Sequence, residues 1–206
     1  MINDNAKTLE AYEQNADAYI NGTRQVVTGD NKDWLDRVSG YLPTGATVLE
    51  LGSGFGRDAT YLEELGYDVV CSDAVPHFVT HLRKHGHHTQ QINILKDSIG
   101  GPYNLILANM VLLHFDIEEV DTILGKVRTA LAPQGIFAFS VRRGEGTEWS
   151  SDKLGAPRFY KYWSHDELQR LMDTNGFGVT DMRDGDSTNL DKIYVIAKLV
   201  VQSVRQ

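Results

Sequence analysis

Apolar positions along the chain switch repeatedly between helical spacing and short continuous runs, and each switch marks an element. Thr8 to Ile20 reads as a polar helix with Tyr12 and Tyr19 seven residues apart on one face, broken by Asn21-Gly22. Trp34, Leu35, Val38, Tyr41 and Leu42 keep helical spacing up to Pro43. The apolar run Thr47 to Leu51 predicts a first strand, and Arg57 to Leu65 a helix stopped by Gly66. Asp68 to Cys71 predicts a second buried strand and His77 to His85 a helix ended by Gly86. Gln90 to Leu95 is a weak strand. Asn104 to Leu112 is apolar almost throughout, as expected of a strand covered on both faces. Ile117, Val120, Leu124, Val127 and Leu131 form an amphipathic helix opened by the capping-box pair Asp116 and Glu119. Pro133 and Gly135 end it, and Ile136 to Val141 is another buried strand. Ser164 and Glu167 form a second capping box for a helix over Asp166 to Thr174, with Gly176 at its end. Gly178 to Met182 and Lys192 to Val200 complete the pattern, joined by a reversal at Asp184-Gly185-Asp186-Ser187.

Strand and helix alternate so regularly that the expected fold class is α/β, a doubly wound sheet of about seven strands. The last two strands leave no room for a helix between them, so the sheet should be mostly parallel with an antiparallel last strand. At 206 residues a single domain is expected. Ligands of such sheets bind beyond the carboxyl ends of the strands, where strand order reverses.

Composition narrows the classes. Hydrophobic residues are 41% and charged residues 23%, ordinary for a globular domain. The single cysteine, Cys71, excludes an intramolecular disulfide and fits a reducing, cytoplasmic setting. Met1 to Lys7 has no apolar signal-peptide core, and the longest apolar stretch, Leu105 to Leu113, is interrupted by Asn109 and too short for a membrane helix. A formal net charge of -8 argues against duplex nucleic acid or an anionic membrane as partner.

The chemistry is concentrated after the strands. Following the first one the chain reads Glu50-Leu51-Gly52-Ser53-Gly54-Phe55-Gly56. Alternate glycines let the backbone turn tightly and approach a ligand, and the next helix offers its N-terminal amides. Asp73, 21 residues after Gly52, is placed to accept hydrogen bonds from ribose hydroxyls. The dinucleotide pattern G-x-G-x-x-G fails, because its third glycine would fall at Arg57. Glu50 would repel a pyrophosphate and favour a cofactor carrying an ammonium and a sulfonium.

This run resembles the glycine-rich motif of the class I S-adenosylmethionine-dependent methyltransferases, in their small-molecule branch. Asn93-Ile94 stands where that family contacts adenine, although many relatives have an aspartate near Asn93. Asn104 to Phe115 resembles its fourth-strand motif, and Leu131-Ala132-Pro133-Gln134-Gly135 its L-x-P-G-G turn, with Gln134 replacing a glycine. The resemblance implies a Rossmann-like fold with a helical cap over 1–45, a cofactor-binding core over 46–141, a substrate loop over 142–163 and a C-terminal helix and β-hairpin over 164–206. It implies S-adenosylmethionine as cofactor and S-adenosylhomocysteine as product. Tyr19, Glu50, Gly52, Ser53, Gly54, Asp73, Ala74, Asn93, Ile94, Asn109 and Met110 would hold it. His114 is the candidate base, by its position after the fourth strand and its ordinary pKa; the other reading makes it a brace for the loop before Asp116.

The segment Arg142 to Trp163 interleaves cations with aromatics and is long for a connection. Arg142, Arg143, Tyr160 and Trp163 are its candidate acceptor residues, arginine being suited to a carboxylate or phosphate; a satellite core around the aromatics is the alternative. No N/D-P-P-Y sequence follows the fourth strand, which argues against nucleic-acid bases as substrate. His77, His81 and His85 are spaced for one helix face, but no carboxylate or cysteine joins them in sequence and no metal site is expected. The expectation is therefore an enzyme acting on a small-molecule acceptor, monomeric or homodimeric. A cofactor-binding protein without catalysis, or a nicotinamide enzyme, would be the alternatives.

Overall fold

A computed structural model of the chain describes residues 4–185 and 191–200. Its core is a seven-stranded sheet. Strands β1 (Thr47–Leu51), β2 (Asp68–Asp73), β3 (His88–Gln91), β4 (Tyr103–Asn109), β5 (Leu131–Arg142), β8 (Phe177–Asp184) and β9 (Lys192–Leu199) lie in the order β3-β2-β1-β4-β5-β9-β8. β1 pairs in parallel with both β2 and β4, so strand order reverses between β1 and β4. β9 runs against both neighbours and is the antiparallel strand.

The apolar runs are continuous because β1, β4 and β5 are covered on both sides. Leu49, Ile106, Phe137 and Phe139 face one layer, with α6 (Ile117–Ala130) and α7 (His165–Thr174) over them. Val48, Leu105, Leu107 and Ala138 face the other, under α3 (Asp30–Ser39), α4 (Arg57–Glu64) and Leu82 of α5 (Pro76–Lys84). Among the described residues no helix is long and apolar enough to cross a membrane.

Several boundaries differ from the sequence reading. The single N-terminal helix is two, α1 (Asp4–Gln14) and α2 (Ala16–Asn21), because the Asn15 side chain turns back to the Ala11 carbonyl (2.9 Å). The third strand lies earlier than expected, since Asn93 opens a turn closed by Asp97. β4 stops at Asn109, where Met110 takes a left-handed φ of 59° and a short 3-10 turn, Leu112–His114, follows. The second capping box is half formed: Ser164 accepts from the Glu167 amide, but the Glu167 carboxylate pairs with Lys161 (2.8 Å). The segment over 142–163 is no simple loop. It folds into an antiparallel hairpin of β6 (Thr147–Ser150) and β7 (Arg158–Lys161). Of the expected reversal, Asp186 and Ser187 lie outside the described residues.

Candidate active site

A cavity opens at the strand-order reversal, beyond the ends of β1, β2 and β4, and α1 roofs it with Asn5, Thr8, Leu9 and Tyr12. The glycine loop forms one wall. Gly52 has φ 65°, and a Cβ there would lie 2.6 Å from Val111 Cγ2, so the turn requires glycine twice over. Gly54 is also left-handed, and the Tyr19 ring of α2 lies against it. The Ser53 amide donates to the Ser72 carbonyl (2.8 Å), and its hydroxyl accepts from the Ser72 amide (3.1 Å). Ser53 thus fastens the loop to β2 and does not line the cavity.

Asp73 ends β2 with its carboxylate turned inward. One oxygen accepts from the Gly54 amide and the other from the Val75 amide, both at 2.9 Å. Burial pushes this carboxyl up to about 6 against the lowering effect of those backbone donors. Ala74, Ile92 and Ile94 supply apolar lining beside it. Asn93 also lines the cavity, but its side-chain oxygen accepts from the Leu95 amide (3.1 Å) and its amide nitrogen donates to Asn5 (3.3 Å). The expected acceptor for adenine is therefore already engaged in the turn.

Glu50 and Asn109 sit deeper. Glu50 is 3% exposed, absent from the cavity wall, and its Oε2 has no hydrogen-bond partner. Burial, followed by the nearby Asp58 carboxylate, holds its carboxyl well above the usual range. Asp58 pairs with Arg57 (2.7 Å) and accepts from Asn31 (3.0 Å). Asn109 borders the cavity, yet its amide donates to Asn31 and Asp58 while its oxygen accepts from Ser140. It ties β4 to α3, α4 and β5. Met110, whose amide donates to the Ser140 carbonyl and hydroxyl, lines the wall.

His114 stands at the far end. Nδ1 lies 2.8 Å from the Phe159 carbonyl, which can only accept, so Nδ1 carries the proton. Nε2 is then the acceptor for the Tyr12 hydroxyl at 3.0 Å. Burial, with smaller contributions from Arg158 and Arg142, lowers the imidazole to about 4. The ring braces α1 against β7 and also faces the cavity. The Phe159 amide donates to Thr8 (3.1 Å), a second tie between the same elements. Tyr160 lies 5.0 Å from the imidazole, centre to centre.

Of the four expected acceptor residues, Tyr160 lies against His114 with Arg142 over its ring, neither of them lining the cavity, and the other two lie elsewhere. Arg143 is 43% exposed and held by Asp184 (2.8 Å) and Asp191 (3.0 Å). Trp163 is fully buried in the main apolar core beside Val141 and Ile193. Neither borders the cavity. Among the described residues no three metal-ligating side chains gather. The helical histidines are engaged separately: His77 meets Asp17, and His81 stacks on His85 at 4.1 Å.

The model of a methyltransferase domain family matches residues 23–181. The chain belongs to that methyltransferase family. No curated protein sequence is significantly similar to it. Burkholderia thailandensis 1,6-didemethyltoxoflavin-N1-methyltransferase, solved with 1,6-didemethyltoxoflavin and S-adenosylhomocysteine bound, superposes with a TM-score of 0.72 at 20% identity, over 96% of this chain and 87% of that one. A Methanosarcina mazei S-adenosylmethionine-dependent methyltransferase gives 0.73 at 14% identity, over 81% and 98%. The glycopeptide N-methyltransferase MtfA with S-adenosylmethionine gives 0.67 at 15%, over 82% and 93%. The fold is therefore that of S-adenosylmethionine-dependent methyltransferases.

Around the candidate site stand residues that no motif in the sequence marks, and of these Tyr12 lines the cavity. Asn31 and Asp58 bind each other across 27 positions, without any local motif. Tyr12 was visible only as half of an aromatic helix face; its bond to His114 spans 102 positions. Arg158 stood among the cations of 142–163, but only strand alternation in β7 puts it on the Tyr160 side, toward Tyr12.

Proposed function

We propose that this methyltransferase moves the methyl group of S-adenosylmethionine to a small-molecule acceptor in the cytoplasm. The observation that carries the reading is one cavity joining the glycine loop, Asp73 and His114. Its residues fit the cofactor. Gly52 and Gly54 leave the loop backbone bare. The buried Asp73 carboxylate, held by backbone amides at the cavity wall, retains acceptor capacity for a ribose hydroxyl. A cation at the loop would offset the burial that holds the Glu50 carboxyl high, whereas a phosphate would not. Ile92, Ile94 and Phe78 provide an apolar bed for a purine.

The bound cofactor supplies a methyl on positive sulfur, ready for in-line displacement. The protein's part is to hold the acceptor in line under the α1 roof and to take up its proton. His114 is neutral at neutral pH, with Nε2 bonded to Tyr12. A proton leaving the acceptor next to Tyr12 passes through that hydroxyl to Nε2. The roofed cavity, the net charge of -8 and the Burkholderia neighbour with 1,6-didemethyltoxoflavin support a small acceptor over a nucleic acid.

The test is transfer of labelled methyl into fractionated cell extract. Label in the low-mass fraction is the expected result. Label confined to protein or nucleic acid would overturn the acceptor class.

A further inference from the structure

Arg142 and Arg158 stand apart from the neighbouring cations. Arg143 has two carboxylates, Lys161 has Glu167 and Arg57 has Asp58. Among the described residues Arg142 and Arg158 have none. Arg158 is 3% exposed; Nη1 donates to the Tyr12 hydroxyl (3.2 Å), Nη2 to the Asp152 carbonyl, and Nε is buried without a partner. The Nε of Arg142 is likewise buried and unpartnered, and its side-chain bond is a long one to the Tyr162 hydroxyl (3.4 Å). Glu148 accepts from the same Tyr162 hydroxyl.

The two guanidinium groups lie against one ring, just outside the residues that line the cavity. Their central carbons lie 4.7 Å and 5.1 Å from the centre of the Tyr160 ring, the ring that lies 5.0 Å from His114. Arg158 is also 5.3 Å from the Tyr12 ring, and Tyr12 borders the cavity. Lys153, with its ammonium 4.2 Å over Tyr19, adds a third cation; burial, then Arg158 and Arg57, brings it down to about 8. Aromatic faces offset part of the desolvation of these charges but leave the two Nε protons without acceptors. In a chain of net charge -8 such an accumulation opposes the overall balance. A buried charge is expected to be paired, so the missing partner belongs to a ligand.

We propose that Arg142 and Arg158 bind an anionic group of the methyl acceptor, a carboxylate or a phosphate, beside Tyr160, with the reacting atom turned toward His114. The planar guanidinium suits either anion. This rests on the methyltransferase reading above and names the substrate class of that same site. Binding of the anion also offsets the share of His114's lowered basicity that comes from Arg158 and Arg142.

The test titrates the full chain, loaded with S-adenosylhomocysteine, with benzoate, phenyl phosphate and neutral benzamide at constant ionic strength. At least one acid should bind roughly tenfold more tightly than benzamide, as charged hydrogen bonds predict. Which acid is tighter separates carboxylate from phosphate. R142Q and R158Q should abolish the preference while affinity for S-adenosylhomocysteine stays within about twofold, and R143Q should retain it. Because Arg158 is buried, R142Q decides if R158Q fails to fold. Equal binding of all three probes by the wild type, or a preference intact in R142Q, would overturn the inference alone. Failure of the wild type to bind S-adenosylhomocysteine would overturn the cofactor reading, and this inference with it.

Discussion

The glycine-loop half of the site is assembled from sequence neighbours. Glu50, Ser72 and Asp73 come from two adjacent parallel strands and Ser53 and Gly54 from the loop that follows the first, and the bond from Gly54 to Asp73 spans 19 positions. The half proposed for the acceptor is assembled from distant pieces. Tyr12 reaches His114 across 102 positions and Arg158 across 146, and Thr8 reaches Phe159 across 151. The first half has its polar groups bonded within the protein, apart from Glu50 Oε2. The second leaves two buried guanidinium groups incompletely bonded. The glycine-loop half is held within the sheet, whereas the other half depends on the N-terminal helix meeting the hairpin. Variants in the two halves should therefore fail differently.

The largest expected effect is in the acceptor half. H114Q should lower kcat by roughly 10²- to 10⁴-fold, the range for general acid–base groups, and leave S-adenosylhomocysteine affinity nearly unchanged. A brace without a chemical role would show a loss of stability with kcat largely preserved.

Acid stability sharpens the same point. The imidazole falls from 6.5 unfolded to about 4 folded, so the unfolded state binds the proton more readily between those values. Stability is at its full value above pH about 6.5 and is lost as pH falls toward 4, by at most about 3 kcal/mol because the ring faces the open cavity. Asp73, raised from 3.8 to about 6, gives the opposite slope over an overlapping range. Comparing wild type with H114Q by denaturant titration at several pH values isolates the histidine. Identical slopes would contradict its lowered pKa.

In the cofactor half, D73A should weaken S-adenosylhomocysteine binding by roughly 1–3 kcal/mol, the scale of hydrogen bonds to a charged group. Wild-type affinity should also decline as pH drops below about 6 and the carboxylate takes a proton. Unchanged affinity in D73A would remove the ribose role. The smallest effect is expected at Arg143, whose exposed ion pairs should be worth less than about 1 kcal/mol in an R143Q denaturation curve.

The same contrast explains what could be read from the chain. The alternation of strands and helices was legible from apolar spacing, and the glycine loop and Asp73 because each sits at a strand end beside residues that fix its backbone. The hairpin over 142–163 was harder. Successive side chains on an extended segment point to opposite faces, so sequence alone could not say which of Arg142 and Arg143 turns toward Tyr160. Trp163 looked like Tyr160 in composition, but its backbone pairs with Arg142 and Gly144 and its ring enters the core. Asn109 and Asn93 were recognised as bordering the site. Their side chains proved to be bonded to Asp58, Asn31, Ser140, Leu95 and Asn5, partners that no spacing rule indicates.

The most direct test of the account is calorimetric titration of the full chain with S-adenosylhomocysteine, with NAD as control. The account predicts saturable one-to-one binding of the first and none of the second. Binding of NAD, or no heat with S-adenosylhomocysteine, would contradict it.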